Sequence, residues 1–469
     1  MKRFKAVIYI LIIIVFSFSL TGCGGKEPNE IAYIVALGID SGENDDYKIT
    51  LQYANPTQIS GGASEEGGKS GSKIVENIVV EAPNIYSAVG IANNIISKNF
   101  SLAHAKLIIF SEEIAKEGLK DITETFIRSD EIRPDIYLAV ATDGASEYLT
   151  SINPAMEINP VKYYQMIFNK NNLMGIPEGV AKNFFFGIET KDFDTTLPVA
   201  GVIGSDEKGG GQSQGSGGSS GSGSSEEGNS GGEEGGGSEE EQESGGQSQG
   251  SGGSSGSGSE PEENTKHDDA PINNSGFEYK MKSYIDGESA VAASNKSEAM
   301  GSAIFEGDKM VGMFGSIETE MFKLLIGDYK SSFLTFYNEE TPDSPVTLKC
   351  IQEKRPKYDI DIENKIINIE LFMDGDVYSL PSDYNIEKDI TNFENNSQKY
   401  IEEDCKKFMM YFLDKYDADI FRLKDRSKIK FLTNKEYEEF KNNVNFDEYE
   451  VNVKANFSIR RTGLVVRES

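Results

Sequence analysis

"EVNVKANFSIRRTGL", Glu450–Leu464, alternates apolar and polar residues with few interruptions. Counting from Tyr449, the apolar set is Tyr449, Val451, Val453, Ala455, Phe457 and Ile459. The intervening set is Glu450, Asn452, Lys454, Asn456, Ser458 and Arg460. Neighbours in a strand point to opposite faces, so this period of two predicts a strand with one buried face. Arg460 and Arg461 are adjacent at its end and must face opposite ways. One is expected to be partly buried and paired with a carboxylate, where the planar guanidinium fork is most effective. The other is expected to face a partner.

Just upstream, Ile401, Cys405, Phe408, Met409, Phe412, Leu413 and Tyr416 lie on one helical stripe. Glu402, Glu403 and Asp404 are expected in its first turn, where the helix dipole favours acids. Val346–Leu380 reads as three alternating strands with turns at Glu353–Lys357, Glu363–Lys365 and Asp374–Asp376. Met300–Gly315 reads as a hairpin turning at Glu306–Lys309, and a helix is predicted around Glu318–Ile326. Residues 276–469 are therefore expected to form a C-terminal α+β domain.

Before it, residues 205–275 are mostly Gly, Ser and Glu. "GGQSQGSGGSSGSGS" at Gly210–Ser224 recurs unchanged at Gly245–Ser259. A segment this poor in apolar residues cannot offset its ordering entropy, so a disordered linker is expected. A smaller loop of the same kind spans Ser60–Ser72. The N-terminal half alternates elements: strands at Ile31–Asp40, Tyr47–Asn55, Lys73–Ala82, Ala105–Phe110 and Ile136–Thr142. Helices are predicted at Asn84–Lys98, from Ser111 to Gly118, and at Asn159–Leu173. Residues 23–204 are expected to hold two subdomains. The fold class is α+β, three mixed sheet-and-helix domains with the long linker before the last.

The first residues have their own pattern. Lys2, Arg3 and Lys5 precede the uncharged run Ala6–Leu20, and Leu20-Thr21-Gly22-Cys23 follows. This has the shape of a secretory signal. Its ending resembles the bacterial lipobox, which implies a signal peptide over residues 1–22 and lipid attachment at Cys23. Acylation there would tether the chain stably to a bilayer. The formal net charge is −31, from 77 acidic and 46 basic residues. Such a surface repels nucleic acid and anionic lipid alike, which leaves the anchor to hold the membrane. Cys350 and Cys405 lie among apolar neighbours and are expected to be buried free thiols rather than a bridge.

Catalytic patterns are missing. There are two histidines, His104 and His267, too few for a relay or a usual zinc site. No Gly-x-Ser-x-Gly elbow and no phosphate-binding Gly-rich loop of the Walker type occurs. The acid pairs Asp374/Asp376 and Asp417/Asp419 fit chance in so acidic a chain better than glycoside hydrolysis. "DSGENDDYKIT" at Asp40 lacks the spacing of an EF-hand loop. No enzyme, no metal and no cofactor is expected.

The lipobox, "EIAYIVALGID", "YKITLQYANP" and "SLAHAKLIIFSEEIAKEGL" resemble the N-terminal region of the Ger(x)C-type spore germination lipoproteins. "GSAIFEGDKMVGMF", "DADIFRL" and "VNVKANFSIRRTGL" resemble its C-terminal region, in the same order. The family usually carries tryptophans that this chain lacks. The resemblance implies the C subunit of a nutrient germinant receptor. It further implies three α+β domains and no catalytic site. The lipid anchor would lie on the outer face of the inner spore membrane, with membrane-embedded A and B subunits as partners. The rival reading, a solute-binding lipoprotein of a transporter, needs two similar lobes on a short hinge.

Loop length costs closure entropy only logarithmically. Deleting Gly245–Ser259 should therefore leave the thermal unfolding midpoint within about 2 °C of the parent chain. A drop of many degrees in a calorimetric scan would mean that the segment packs against a domain.

Overall fold

A computed structural model of the chain describes residues 30–54, 74–152, 157, 159–168, 175–203, 296–337, 344–381, 384–386 and 390–462. Cys23, His267, and the Gly/Ser/Glu stretch 205–275 lie outside them.

The first sheet has nine strands. β1 (Ile31–Ser41), β2 (Tyr47–Ala54) and β3 (Val75–Ala82) form an antiparallel meander. β4 (Asn99–Ser101) pairs in parallel with the start of β1. Beyond β1 the sheet turns parallel through β5 (Leu107–Ser111), β6 (Tyr137–Ala141) and β7 (Thr196–Val202). All three are buried throughout, as strands covered on both faces should be, and β5 and β6 are nearly continuous apolar runs. The pleat sends Ile108 and Phe110 to one core, Leu107 and Ile109 to the other. The first core is covered by α1 (Ile85–Ala92), α2 (Glu112–Glu117), α3 (Lys120–Ile127) and, later in the chain, Ala181–Thr190. The second is covered by α4 (Ala145–Ser151) and α5 (Pro160–Phe168). Asp40, from the acidic turn, accepts the amides of Ala145 (2.7 Å) and Ser146 (2.9 Å) and so anchors α4.

Ala181–Thr190 is α6. Past it, the structure departs from the expected division of the chain. β8 (Ser297–Glu306) and β9 (Lys309–Phe314), the hairpin assigned to the C-terminal domain, complete the first sheet. β8 pairs antiparallel with β7, from Thr196↔Ile304 to Val202↔Ser297. Without β8, the wholly buried β7 would be an open edge, so the hairpin belongs where it lies.

The second sheet runs β10 (Ser331–Phe336), β11 (Val346–Asp361), β12 (Ile366–Ser379), β13 (Glu450–Arg461). β12 and β13 are parallel and the other pairs antiparallel. Three strands were expected in Val346–Leu380; two long ones form. Glu353–Lys357 is an irregularity within β11 rather than a turn, because the ladder resumes after register shifts at Gln352–Lys357. Asp374–Asp376 likewise stays inside β12. The core of this half joins α7 (Ser316–Ile326) and α8 (Ile390–Lys415) to the sheet. α8 begins well before the stripe that predicted it. Glu402, Glu403 and Asp404 therefore sit mid-helix, not in the first turn. Asp404 is buried, and burial pushes its carboxyl up to about 6. In the first half, α1 ends at Ala92 instead of Lys98. There Asn93 turns its side chain to accept the Phe100 amide at 2.8 Å, starting β4. The helix expected over Asn159–Leu173 is described over Pro160–Phe168. Its remainder lies outside the described residues.

β13 buries Val451, Ala455 and Phe457, with Val453 and Ile459 half-buried, as alternation demands. Phe457 lies directly over Gly375 of β12, where a Cβ would meet its ring at 2.6 Å. Phe457→Ala should therefore leave a cavity and cost about 3–5 kcal/mol in urea unfolding. A loss below about 1 kcal/mol would mean that the ring is not part of the core.

Candidate functional site

The closing strand brings its arginines to the carboxylates of β12. The Arg460 guanidinium lies 3.5 Å from Asp376 and 3.8 Å from Asp374. Both acids are mostly covered, while the Arg460 side chain is 42% exposed. Asp374 also shares a hydrogen bond with Glu353. Burial, and then the Glu353 charge, push its pKa up, and Arg460 pulls it back. Arg461 is exposed and makes no ion pair among the described residues. The expected partner of a carboxylate is Arg460, which is a little over half covered, while Arg461 is exposed, because β13 ends here and leaves the core. Asp374 and Asp376, considered as a catalytic pair, serve Arg460.

The other singled-out residues scatter. Cys350 and Cys405 are buried free thiols. Burial pushes Cys350 up to about 12, and Cys405 sits 3.6 Å from the Met321 sulfur. His104 packs edge-on against Tyr33 with ring centroids 4.5 Å apart. Among the described residues no cluster of His, Cys, Asp or Glu is disposed to hold a metal, and no helix is long and apolar enough to cross a membrane.

One feature has little trace in the sequence. A cleft of about 310 Å³ opens between the two sheets. It is walled by Arg355 from the β11 irregularity, the C-terminal end of α7, the Thr195–Leu197 edge of β7, and the segment holding Arg422 and Arg426. Its floor is a clamp. Asp194 Oδ1 accepts the Gly307 amide at 2.7 Å, and its Oδ2 accepts the Asp419 amide at 2.8 Å. Asp419 in turn accepts the amides of Leu423 (2.7 Å) and Lys424 (2.8 Å), starting α9 (Leu423–Ser427). Burial pushes Asp419 up to about 6, and the two amides partly offset this. Arg422 stands in the left-handed region at φ 57° and lies 3.9 Å over the Phe193 ring. Arg426 lies 3.9 Å over Tyr358 and donates to the Phe421 carbonyl. The four-residue spacing of Arg422 and Arg426 was the only hint available; nothing in the sequence ties Arg355 to them.

The two-sheet fold with its strand-bound arginine and arginine-walled cleft defines a mixed α/β protein whose halves match known families in order. Residues 24–202 match the spore germination protein N-terminal domain, and residues 300–463 match the C-terminal domain of the spore germination B3/GerAC-like type. The chain belongs to this spore germination family. It is 27% identical to spore germination protein KC of Bacillus subtilis (strain 168) over 223 residues, 44% of this chain and 51% of the relative. It is 26% identical to spore germination protein B3 of the same organism over 163 residues, 33% of this chain and 38% of that one. The chain thus spans about half, or less, of the length of these relatives. The crystal structure of the GerBC protein superposes with a TM-score of 0.46 at 15% identity, covering 90% of this chain and 96% of that one.

Asp374 holds its proton to higher pH folded than unfolded, so its contribution favours folding at low pH and is lost as pH rises through its folded value. Arg460 offsets that loss. Arg460→Ala should cost about 0.5–1 kcal/mol at neutral pH, shrinking toward zero as pH falls below the ordinary carboxylate range, to about pH 2. Arg461→Ala should stay within about 0.5 kcal/mol throughout. Urea unfolding at the two pH values checks both.

Proposed function

We propose that the chain is the lipid-anchored, non-catalytic subunit of a nutrient germinant receptor. The in-order match of both halves to one spore germination family carries this reading. The Leu20–Cys23 motif supplies the anchor, with acyl chains on Cys23 holding the protein to the outer face of the inner spore membrane. The membrane-embedded A and B subunits are its partners, and Arg461 is a candidate contact with them. The exposed end of β13 leaves its guanidinium unpaired among the described residues, and arginine is over-represented at the centres of interfaces. The family is one of receptor subunits not known as enzymes. A solute-binding lipoprotein needs two similar lobes. Here the sheets differ in strand number, nine against four, and in order.

The acidic surface has little affinity for an anionic bilayer of its own. Cys23→Ala should therefore shift the protein from the inner-membrane fraction of dormant spores to the soluble fraction and slow nutrient germination. If immunoblots show it in the membrane fraction at the parental level, the anchor is elsewhere.

A further inference from the structure

We propose that the cleft between the two sheets is a binding site for a small oxyanion, a carboxylate or phosphate carried on a molecule of metabolite size. Three guanidiniums converge on it in a chain of net charge −31. In so acidic a protein, free carboxylates are abundant, and arginines left to chance find them. Here Arg355, Arg422 and Arg426 form no ion pair within 4 Å among the described residues. Asp425 and Asp419 act on Arg422 from beyond ion-pair distance, and Arg426 and Arg355 bear on it with like charge. Holding three cations together without a bridging anion is unfavourable, and their backbones and rings hold them there regardless. Arg422 is fixed in the left-handed region and stacked on Phe193, and Arg426 is stacked on Tyr358. Stacking leaves in-plane N–H donors available, apart from the Arg426 Nε that serves the Phe421 carbonyl, and it is such donors that grip a carboxylate or phosphate edge in bidentate fashion.

The acids of the cleft do not satisfy these arginines. Asp194 spends both oxygens on the Gly307 and Asp419 amides, and Asp419 spends both on Leu423 and Lys424. Lys323 faces Glu320 at 3.9 Å. Glu178 and Asp328 stand on the rim, where burial first and then, for Glu178, the Asp328 charge disfavour ionisation; Arg422 acts on Glu178 and Arg355 on Asp328, in each case without closing to an ion pair. Phe184, Phe322 and Ile326 supply an apolar wall. The volume, about 310 Å³, lies at the small end of the range of small-molecule sites. The ligand that fits is therefore compact, with an anionic head and an apolar body.

This inference does not depend on the receptor reading, since it rests on the cleft alone. The test titrates the full-length chain in detergent micelles with succinate and, separately, with inorganic phosphate by calorimetry, at low and at physiological salt. At least one should bind with a Kd in the millimolar range or tighter, more weakly as salt rises. Arg355 is exposed, so Arg355→Gln should melt like the parent yet lose affinity about tenfold or more. Arg422→Lys, which keeps the charge and loses the fork, should lose affinity as well. Arg128→Gln, at the exposed C-cap of α3, should change nothing. Binding of succinate alone identifies a carboxylate site, and binding of phosphate alone a phosphate site. If neither anion gives heat, or if Arg355→Gln and Arg422→Lys bind as tightly as the parent, the proposal fails.

Discussion

The pairing of β7 with β8 is the constraint on which the structure depends. β7 is buried along its whole length and has only a parallel partner, β6, on one side. A central strand with one open edge exposes a row of amides and carbonyls that must find partners. β8 supplies them, and the pairing extends to an amide–carbonyl bond from Ile203 to Lys296 at 2.7 Å. The chain therefore leaves the sheet at Ile203 and must re-enter it beside its point of exit. Whatever length lies between, the cost of closing it grows only with its logarithm. This explains how the first sheet tolerates the long segment of chain between residues 203 and 296.

From that pairing the remaining architecture follows. β8 leads through a turn at Gly307 into β9, and this turn is gripped by two segments of the first half. Asp308 accepts the Leu119 and Lys120 amides through its carbonyl and carboxylate. Asp194 accepts the Gly307 amide. Asp194 also takes the Asp419 amide and gives its own to the Asp419 carbonyl, so one residue ties the end of α6, the hairpin and the entry to α9. Each bond adds about 0.5–1.5 kcal/mol at most, but a buried carboxylate whose partner was lost would cost more than the bond contributed. The clamp thus sets the approach of the two sheets, and the cleft is the space left between them above it. A second close approach reinforces it. Gly312 lies where a Cβ would meet the Tyr416 ring at 2.6 Å, so β9 and the end of α8 touch without a side chain between.

Most strands were legible because burial on one or both faces imprints a period of two or a continuous apolar run. β13, β5 and β6 were read close to their observed ends for that reason. What was not legible was where strands go. The hairpin Met300–Gly315 was visible as a hairpin, but its partner β7 was not, because "TLPVAGV" is short and Thr, Pro and Gly dilute its strand character. Charge clusters were misread for a related reason. Glu353–Lys357 and Asp374–Asp376 have turn composition, yet both sit inside long strands, one absorbed by a bulge and the other serving Arg460. Composition reports solubility; pairing decides geometry. The same holds for Glu402–Asp404, where acids suggested a helix start and α8 instead begins at Ile390.

The candidate site divides along the same line. The pairing of one closing arginine with a carboxylate was legible because both arginines belong to one element, although a register shift at Gly375/Asp376 interrupts the alternation at Arg460. Arg355, Arg422 and Arg426 belong to two segments far apart in the chain, and their convergence depends on a bulge in β11, a left-handed residue and the Asp194–Asp419 clamp. No local pattern encodes such a meeting. It also has the energetics of a site more than of a scaffold. Three like charges in one cleft lower stability unless something opposes them, and the structure holds two of them over aromatic rings, where cation–π attraction contributes roughly 0.5–2 kcal/mol each. Tyr358 and Phe193 are thus the supports that keep Arg426 and Arg422 in place. In an acidic protein the informative feature is the place where positive charge is kept unpaired, because every neighbouring carboxylate had the opportunity to neutralise it.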